Sequence, residues 1–307
     1  MLDVRRLRLL YEVQQRGTLA AVAQALAYSP SSVSQQLAAL EADVGIALLE
    51  PVGRGVRLTP QGRILAEHGR AVLERLERAE ADVAASLNAV VGTVRLAAFQ
   101  TAAHAVVPSA LTHLAALHPG LQVHVTELEP ATSLPALRVR DHDVVLAEAY
   151  PGHPLALLPG LEYLPLHEDR LRLAVPAAWT SGAGMSPLAL ADRPWVMEPE
   201  GTPARVWATS LCRRAGFEPD VRFESTDVLF HARLTSTGHA AAFLPDLCTT
   251  PPSGALSLHD LPGKPGRELI CAVRRGSAQH PAHLAVRHAI QVSLSTLAHR
   301  RPADHDS

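Results

Sequence analysis

The N-terminal part of the chain has apolar residues at helical spacing, interrupted twice by turn-forming residues. Leu7, Leu10 and Val13 share one face of a first predicted helix, which Asp3 can cap. Two shorter helices follow, each with one apolar face, and a break at residues 27–29 separates them. Their apolar positions are Leu19, Val22, Ala23 and Leu26, then Val33, Leu37 and Leu40. The pattern predicts a three-helix unit in which a tight turn joins the last two helices.

The third predicted helix carries a polar face without charged side chains. Ser29 can cap this helix, and Pro30 suits its first position, where no backbone N–H is needed. Short hydroxyl and amide side chains near a helix N-terminus can reach base edges and phosphates in the major groove. The candidate DNA-contacting residues of this helix are Pro30, Ser31, Ser32, Ser34 and Gln35. A solvated face of an ordinary helical bundle would have the same composition, so the next segment decides between the two interpretations.

Two short apolar runs surround a glycine-flanked arginine after the third helix. Leu48-Leu49 and Val56-Arg57-Leu58 lie on either side of Gly53-Arg54-Gly55, which predicts a β-hairpin. A hairpin that directly follows a helix-turn-helix is a wing, and an arginine at its tip can contact phosphates or the minor groove. We therefore add three residues to the candidate DNA-contacting set: Arg54, Arg57 and Thr18, which caps the second helix.

Residues 1–62 resemble the winged helix-turn-helix of bacterial LysR-type transcriptional regulators. The resemblance rests on the opening LDVRRLRLLYEV, the run AQAL…SPSSVSQQLAALE, the segment VGIALLE and the ending GRGVRLTPQG. It implies a DNA-binding domain over residues 1–59 with double-stranded DNA as its partner. One departure is that the family usually has Phe-Glu-Arg where this chain has Leu49-Glu50-Pro51. The missing arginine places more weight on Arg54 and Arg57.

A long helix is predicted to begin at Thr59-Pro60 and to end near Val90, before Gly92. Apolar or small residues recur along it in alternating steps of four and three, which is a heptad seam. The seam consists of Leu65, Gly69, Val72, Leu76, Ala79, Val83, Ser86 and Val90. Its length favours a partner helix from a second copy, although packing on its own domain is the alternative. In the resembled family this helix, residues 60–91 here, is the linker that dimerises, so a homodimer or homotetramer is expected.

From residue 92 onward, short apolar strands alternate with helices, which predicts α/β layers with parallel strands. Strands are predicted at 93–98, 121–125 and 143–147, with helices at 108–118 and 134–140. After a proline-rich break at 151–165 the pattern restarts, and a second loop-like break follows at 251–266. The later strands are predicted at 171–175, 195–197, 221–223, 240–244 and 268–273. The later helices are predicted at 203–215 and 282–297, and a third helix is predicted between the strands at 221–223 and 240–244.

The two sets of strands and the two breaks resemble the effector domain of the same family, which is built like a periplasmic binding protein. The resemblance implies an effector-binding domain over residues 92–300 in two α/β lobes. Lobe 1 would comprise about 92–163 plus 267–300, and lobe 2 about 164–266. It further implies a small-molecule effector between the lobes, and it allows RNA polymerase as a partner.

Polar residues at strand ends and helix starts are predicted to line the cleft between these lobes, since such places suit anions and hydrogen-bonding ligands. The candidate effector-binding residues are Thr101, Glu129, Thr132, Glu198, Gly201, Thr202 and Asp227. Thr101 matches the position where the family often presents a hydroxyl to its effector. Each residue taken alone has a helix cap as its alternative role. Because this set is acidic, a cationic or amino-bearing effector is expected rather than a dicarboxylate.

Composition narrows the class of protein further. The 307 residues allow about two domains, and no apolar run reaches the length of a membrane span. The N-terminus lacks the apolar core of a signal peptide, and the three cysteines are too scattered for a disulfide framework, so a reducing cytoplasm is expected. Residues 1–58 hold six arginines against five carboxylates, so affinity for DNA would need a dimer. The spacing of His280, His283 and His288 does not suit a metal site.

Two other classes of protein compete with the regulator. An enzyme with a DNA-binding appendage is disfavoured because the sequence has no recognisable catalytic motif or cofactor fingerprint. Its single lysine, Lys264, lies in a predicted loop and is a poor candidate for a pyridoxal-phosphate site. A transport-type binding protein is disfavoured by the helix-turn-helix. We therefore expect an effector-responsive transcriptional regulator without metal or cofactor, with its operator, its effector and the sign of regulation left open.

Overall fold

The computed structural model shows an N-terminal helical unit, a long helix and two α/β lobes. The N-terminal unit contains three helices and a two-stranded hairpin. These elements are α1 (Val4–Arg16), α2 (Leu19–Ala25), α3 (Pro30–Val44), β1 (Leu49–Val52) and β2 (Gly55–Leu58). The structure describes residues 1–53, 55–87, 89–180, 185–248 and 255–300, the last three by backbone only.

The predicted apolar faces form the core of the N-terminal unit. Leu10, Val22, Val33 and Leu40 are fully buried together, so three amphipathic helices share one apolar centre. The hairpin is attached to α3 by Glu41, whose Oε1 accepts hydrogen bonds from the backbone N–H groups of two successive residues, at 2.8 and 3.0 Å. The position of the hairpin relative to α3 is therefore fixed by side-chain hydrogen bonds as well as by the chain connection.

The long helix α4 (Pro60–Ala85) is shorter than predicted, and the first two positions of its predicted seam, Leu65 and Gly69, pack on its own chain. A Cβ at Gly69 would lie 3.2 Å from the carbonyl oxygen of Leu7, so Gly69 allows close packing on α1 and does not belong to an outer seam. Ser86 is the C-cap, and Val90 lies beyond the helix. The other side of the helix does expose apolar side chains: Ile64, Val72, Leu76, Val83 and, just after the helix, Leu87.

Lobe 1 is built on a sheet that is only partly parallel. Strand β3 pairs in parallel with β4 and β5, but the late strand β11 returns to pair antiparallel with β5. The prediction of a parallel layer was therefore wrong for β11, since a strand that returns from the second lobe enters the sheet from the opposite end. The elements are β3 (Gly92–Ala98), α5 (Gln100–Ala105), α6 (Val107–Leu117), β4 (Leu121–Glu127), α7 (Pro130–Arg138), β5 (Val144–Ala149), β11 (Gly266–Arg274) and α10 (Pro281–Arg300).

One strand of 16 residues, β6 (Leu161–Pro176), crosses from the first lobe to the second. Its first part pairs with β11, and from residue 171 it pairs with β9 (Ala242–Pro245) and, over its last residues, β10 (Leu256–Asp260). The predicted break at 151–165 was too long, because Pro165 lies next to a register shift, where a strand tolerates proline. The predicted loop at 251–266 likewise contains β10. A lobe boundary at residue 163 thus falls inside a continuous strand.

Lobe 2 packs around aromatic side chains. Trp195 is fully buried and stacks on Phe243 with ring centroids 5.0 Å apart. The remaining elements of this lobe are β7 (Pro194–Met197), α8 (Pro203–Arg214), β8 (Asp220–Glu224) and α9 (Val228–Ser236), with β7 and β8 parallel. Among the residues that the structure describes, no helix is both long enough and apolar enough to cross a membrane.

Candidate functional sites

The polar face of α3 is exposed, and Ser34 and Gln35 on it make no side-chain hydrogen bonds within the described part of the chain. Ser29 caps the helix by accepting from the Ser32 N–H at 3.1 Å, and its hydroxyl also bonds to that of Ser31 at 3.0 Å. Ser34 and Gln35 are exposed and free to contact another molecule. Pro30 occupies the first turn, as the sequence predicts. Ser32 is half-buried, which gives it a structural role beside any contact with DNA.

The other candidate DNA contacts differ in how far the structure supports them. Thr18 caps α2 by accepting from the Ala21 N–H at 3.1 Å, and its side chain remains exposed. Arg57 is exposed but forms an ion pair with Glu50 at 2.8 Å, so part of its charge is already neutralised. The resembled family usually has an arginine where this chain has Pro51, and Arg57 was expected to compensate for that missing charge. The ion pair with Glu50 makes this compensation weaker. Arg54 lies outside the described residues, and its predicted phosphate contact stays a prediction.

A cavity of about 310 Å³ lies between the two lobes. Lobe 1 contributes Glu129, Glu148 and Tyr150 to its wall, and lobe 2 contributes Glu198 and Thr202. The rest of the wall is mostly apolar and includes Leu134, Pro135, Leu155, Leu158 and Ala204. A wider hollow of about 540 Å³ lies beside the loop 151–158, but lobe 2 contributes no residue to it. The first cavity is therefore the one that a ligand between hinged lobes would occupy.

Three of the seven predicted effector contacts line this cavity, and four do not. Glu129, Glu198 and Thr202 lie on its wall. Thr202 also caps α8, because its hydroxyl accepts from the Arg205 N–H at 3.2 Å. Thr132 and Gly201 are solvent-exposed positions away from the wall. The other two, Thr101 and Asp227, hold the structure together nearby.

The structure does not support the expected contact between Thr101 and the effector, which stays a prediction. Thr101 is only 3% exposed and does not line the cavity. Its hydroxyl accepts a hydrogen bond of 2.6 Å from Nη2 of Arg267, so the oxygen faces the interior of the protein. Thr101 is not the cap of α5 either, because Phe99 occupies that position. The residue instead helps to bind a buried arginine behind the cleft wall.

Arg267 is the centre of a buried ionic cluster that the sequence analysis missed. Its side chain is 1% exposed, and its Nη2 atom lies 2.8 Å from a carboxylate oxygen of Asp169, which is equally buried. Its Nη1 atom forms a short ion pair with Glu148 and lies 3.5 Å from the Tyr150 hydroxyl. Burial raises the pKa of both carboxyl groups, while the Arg267 charge lowers it. The partners lie about a hundred positions apart in the chain, beyond the reach of any local pattern.

Asp227 links the two lobes instead of lining the cavity. Nε2 of Gln100, at the start of α5 in lobe 1, donates to an oxygen of Asp227 at 2.7 Å. The Gln100 side-chain oxygen in turn accepts from the Val228 N–H at 2.8 Å. The same Asp227 oxygen caps α9, accepting from Leu229 and Phe230. This pair of hydrogen bonds holds the lobes together beside the cavity.

The carboxylates of the cavity wall have unusual acidity. Burial within the cleft is the largest cause that raises the pKa of Glu198 to about 7, and repulsion from Glu148 adds to it. The same two causes raise the pKa of Glu129 to about 7, although this side chain is more open to solvent. Each group therefore titrates near neutral pH. Within the described part of the chain, no cluster of three or more His, Cys, Asp or Glu side chains is arranged to hold a metal ion.

Ion pairs join the N-terminal unit and α4 to lobe 1. Arg16 at the end of α1 contacts Asp141 at 2.9 Å. Glu77 on α4 accepts from Arg274 of β11 at 2.7 Å and from Arg140 at 2.9 Å. Since β11 also carries Arg267, one strand connects the cleft wall with the long helix. Charged contacts therefore join both the N-terminal unit and the long helix to lobe 1.

Comparison with known proteins gives matches to both parts of the chain. Residues 4–63 match the family model "Bacterial regulatory helix-turn-helix protein, lysR family", and residues 88–294 match "LysR substrate binding domain". The chain is 34% identical to a probable hydrogen peroxide-inducible genes activator of Mycobacterium avium. This match extends over 217 residues, which are 70% of this chain and 68% of the relative.

Solved structures share the fold over nearly the whole length. A full-length OxyR of Pseudomonas aeruginosa has a TM-score of 0.70 at 18% identity, and the match covers 95% of both chains. Full-length CbnR in complex with its target DNA has a TM-score of 0.54 at 24% identity, and the match covers 95% of this chain and 99% of that one. At these identities the likeness establishes the arrangement of the elements and leaves the ligand to the residues of this chain.

Proposed function

Because the chain belongs to the LysR family of transcriptional regulators, we propose that it binds an operator as a homodimer or homotetramer and that a small molecule in the interlobe cavity controls this binding. One observation carries the proposal. A single chain has an exposed, uncharged polar helix face at one end and a ligand-sized cavity at the other, and ion pairs connect the two. The expected compartment is the cytoplasm, with RNA polymerase as a further partner if the protein activates promoters.

The DNA-binding part of the proposal rests on α3. Ser34 and Gln35 project from its exposed face and have no competing partners in the described part of the chain. A glutamine can form two hydrogen bonds with an adenine edge, and a serine can bond to a base or a phosphate. The solved complex of CbnR with its target DNA shows that a protein of this fold binds DNA as a full-length chain.

The oligomeric part of the proposal rests on α4 and on charge. Val72, Leu76 and Val83 form an exposed apolar stripe on the side of the helix that faces away from its own domain. A second copy would cover this stripe and would double the number of phosphate contacts. That doubling matters because residues 1–58 of one copy have only one more arginine than carboxylates.

A response through cysteine oxidation is the second candidate, since the Mycobacterium avium relative is described as a probable activator of hydrogen peroxide-inducible genes. The thiols of this chain do not favour it. Cys212, Cys248 and Cys271 are all buried, and burial raises the pKa of both Cys212 and Cys271 to about 12. Redox-sensing cysteines are accessible and have lowered pKa values, because the thiolate is the reactive form. The cavity is therefore the better candidate for the sensing site.

The experiment is a selection of bound sequences from random and genomic DNA with the full-length protein, followed by anisotropy titrations. We expect enrichment of a two-fold symmetric site, because a symmetric dimer contacts two half-sites. Variant Ala204→Trp, which fills the cavity, should alter operator affinity while leaving the oligomer unchanged. A chain that binds all DNA alike, or whose cavity variant binds the operator as the unmodified protein does, would contradict the proposal.

A further inference from the structure

We propose that the ligand of the interlobe cavity is an organic cation: an ammonium or amidinium group on an apolar body, held between Glu129 of lobe 1 and Glu198 of lobe 2. This inference rests on the proposed function, in that it takes the cavity as the effector site. It extends that function by assigning the chemical class of the effector and by linking its binding to the release of protons.

The first argument is the charge of the wall. Three carboxylates line the cavity, Glu129, Glu148 and Glu198, and no arginine or lysine is among the lining residues. His153 is the single basic side chain on the wall. No hydrogen-bond donor of the described residues meets the Glu129 carboxylate, so this group has no internal partner to satisfy it. Arg267 offsets the charge of Glu148 from behind the wall. An anionic ligand would still face the carboxyl groups of Glu129 and Glu198 with no arginine or lysine on the wall to bind it.

The second argument is that the nearest arginine is unavailable. Arg267 lies behind the wall, and each of its nitrogens already donates: Nε and Nη2 to Asp169, Nη1 to Glu148 and Tyr150, and Nη2 also to Thr101. A guanidinium has five N–H donors in a fixed geometry, and these bonds use its edges. A carboxylate ligand would have to displace Asp169 or Glu148 from a buried ion pair, which is strongly unfavourable.

The third argument is the size and the apolar part of the cavity. A volume of about 310 Å³ is at the lower end of the range for small-molecule sites and far exceeds the space that a bare metal ion needs. Leu134, Leu155 and Leu158 contribute apolar surface to the same cavity. The described carboxylates also lack a metal-binding arrangement. The cavity therefore matches a charged head with an apolar body better than it matches an inorganic cation.

Proton release follows from the groups that face the two carboxylates. Glu129 faces Glu127 of β4, Glu148 of β5 and Arg267 of β11. Glu198 faces Glu129, Glu148, Arg267 and the Thr202 hydroxyl. Both groups have pKa values of about 7, so each is partly protonated in the empty cavity near neutral pH. A bound cation favours their ionised forms and releases those protons.

Because Glu129 and Glu198 belong to different lobes, their charges also act on the lobes themselves. When both are ionised and no ligand is present, their repulsion favours separation of the lobes. A cation between them reverses the sign of this interaction and adds to the Gln100–Asp227 hydrogen bonds in favouring the closed form. The cation thus binds more favourably when the lobes are close together than when they are separated. A ligand shifts the populations of two arrangements only if its binding free energy differs between them.

The experiment compares three probes of similar shape and different charge on the full-length protein: 2-phenylethylamine, 2-phenylethanol and 3-phenylpropionate. Calorimetry and thermal melts at millimolar concentrations are run near pH 6 and near pH 8. We expect the amine to bind more tightly than the other two, and its affinity to rise about tenfold per carboxylate between these pH values. Buffers with different ionisation enthalpies should show net release of protons near pH 7.

Matched variants locate the effect. Glu198→Gln should weaken binding of the amine about tenfold or more at the higher pH and reduce the pH dependence. Glu200→Gln is the control, because Glu200 belongs to the same turn but its side chain is 87% exposed and does not line the cavity. Glu198→Gln is nearly isosteric and removes a repulsion, so it should fold, and far-ultraviolet circular dichroism checks this.

The outcomes separate this inference from the proposed function. The organic-cation inference would be overturned if the propionate or the alcohol bound more tightly than the amine, or if the two glutamine variants lost affinity equally. It would also be overturned if Mg²⁺ or Ca²⁺ stabilised the protein instead of the amine. Finally, it would be overturned if none of the amines bound, with tyramine, cyclohexylamine and agmatine tested beside 2-phenylethylamine. If the propionate bound and changed operator affinity, the regulatory function would stand without the inference. If the amine bound as expected and the operator affinity never responded, the inference would stand and the proposed control of DNA binding would fail.

Discussion

Replacing Arg267 by methionine removes the only cation from a buried cluster with two carboxylates. Asp169 is 1% exposed and cannot recover solvation from water without a rearrangement. Glu148, with a side chain 10% exposed, can contact water only at the cavity wall. The five hydrogen bonds of Arg267 would be lost together, including the one to Thr101. Methionine fills a similar volume, so little of the expected loss of stability would come from an empty space left at residue 267.

The expected loss of stability is about 3–5 kcal/mol near pH 8, the range for a buried ion pair that loses one partner. A domain with a free energy of unfolding of about 5–15 kcal/mol would keep part of its stability. Without Arg267, burial raises the pKa of both carboxyl groups in the folded state above their unfolded values. Such groups contribute stability below the unfolded pKa and lose it as the pH rises, so the deficit of the variant should shrink toward pH 5.

Urea denaturation followed by tryptophan fluorescence is the assay. Trp179, Trp195 and Trp207 all lie in the lobe that β6 and β11 join to the cluster, so their signal reports the relevant domain. We expect the denaturation midpoint to fall by about 1–2 M, given urea slopes of about 2–3 kcal/mol per M for a domain of this size. Arg213→Met is the matched control, because Arg213 and Glu218 form a fully exposed pair that should contribute nothing measurable.

A triple variant distinguishes a charge effect from a packing effect. Adding Asp169→Asn and Glu148→Gln to Arg267→Met removes both unpaired charges and should restore most of the lost stability. The reasoning would be refuted by a loss of less than about 1 kcal/mol near pH 8, or by a triple variant no more stable than the single one. A deficit that stays constant with pH would refute the assignment of the loss to ionised Asp169 and Glu148.

Three further predictions concern DNA binding, assembly and the interlobe link. Gln35→Ala should cost about 1–3 kcal/mol on the selected operator and little on random DNA, measured by anisotropy; equal losses on both would show that α3 does not contact bases specifically. Leu76→Arg should shift the oligomer toward monomer in light scattering, and an unchanged mass would remove α4 from the interface. Gln100→Ala should cost about 1–3 kcal/mol and increase the radius of gyration in X-ray scattering, whereas exposed Gln122→Ala should change neither.

The sequence by itself determined the local elements and the class of protein. The caps at Thr18, Ser29 and Thr59 and the apolar faces of the first helices act between near neighbours, so their spacing in the chain is enough to predict them. The ordered helix-turn-helix and hairpin segments likewise lie within about sixty residues. The sequence also predicted Glu129, Glu198 and Thr202 for the cleft, and they line the cavity, because strand ends that precede helices meet at one edge of an α/β layer. Their contact with an effector stays a prediction.

Only the tertiary structure decided which polar groups face the ligand and which face each other. Thr101 and Asp227 sit at the expected strand ends, but their oxygens are occupied by Arg267 and Gln100, residues that lie 166 and 127 positions away. The same holds for Gly69, whose missing side chain allows close contact with α1. Side-chain direction and long-range pairing depend on how the β6 and β11 strands return between lobes, and periodicity along the chain carries no information about that return.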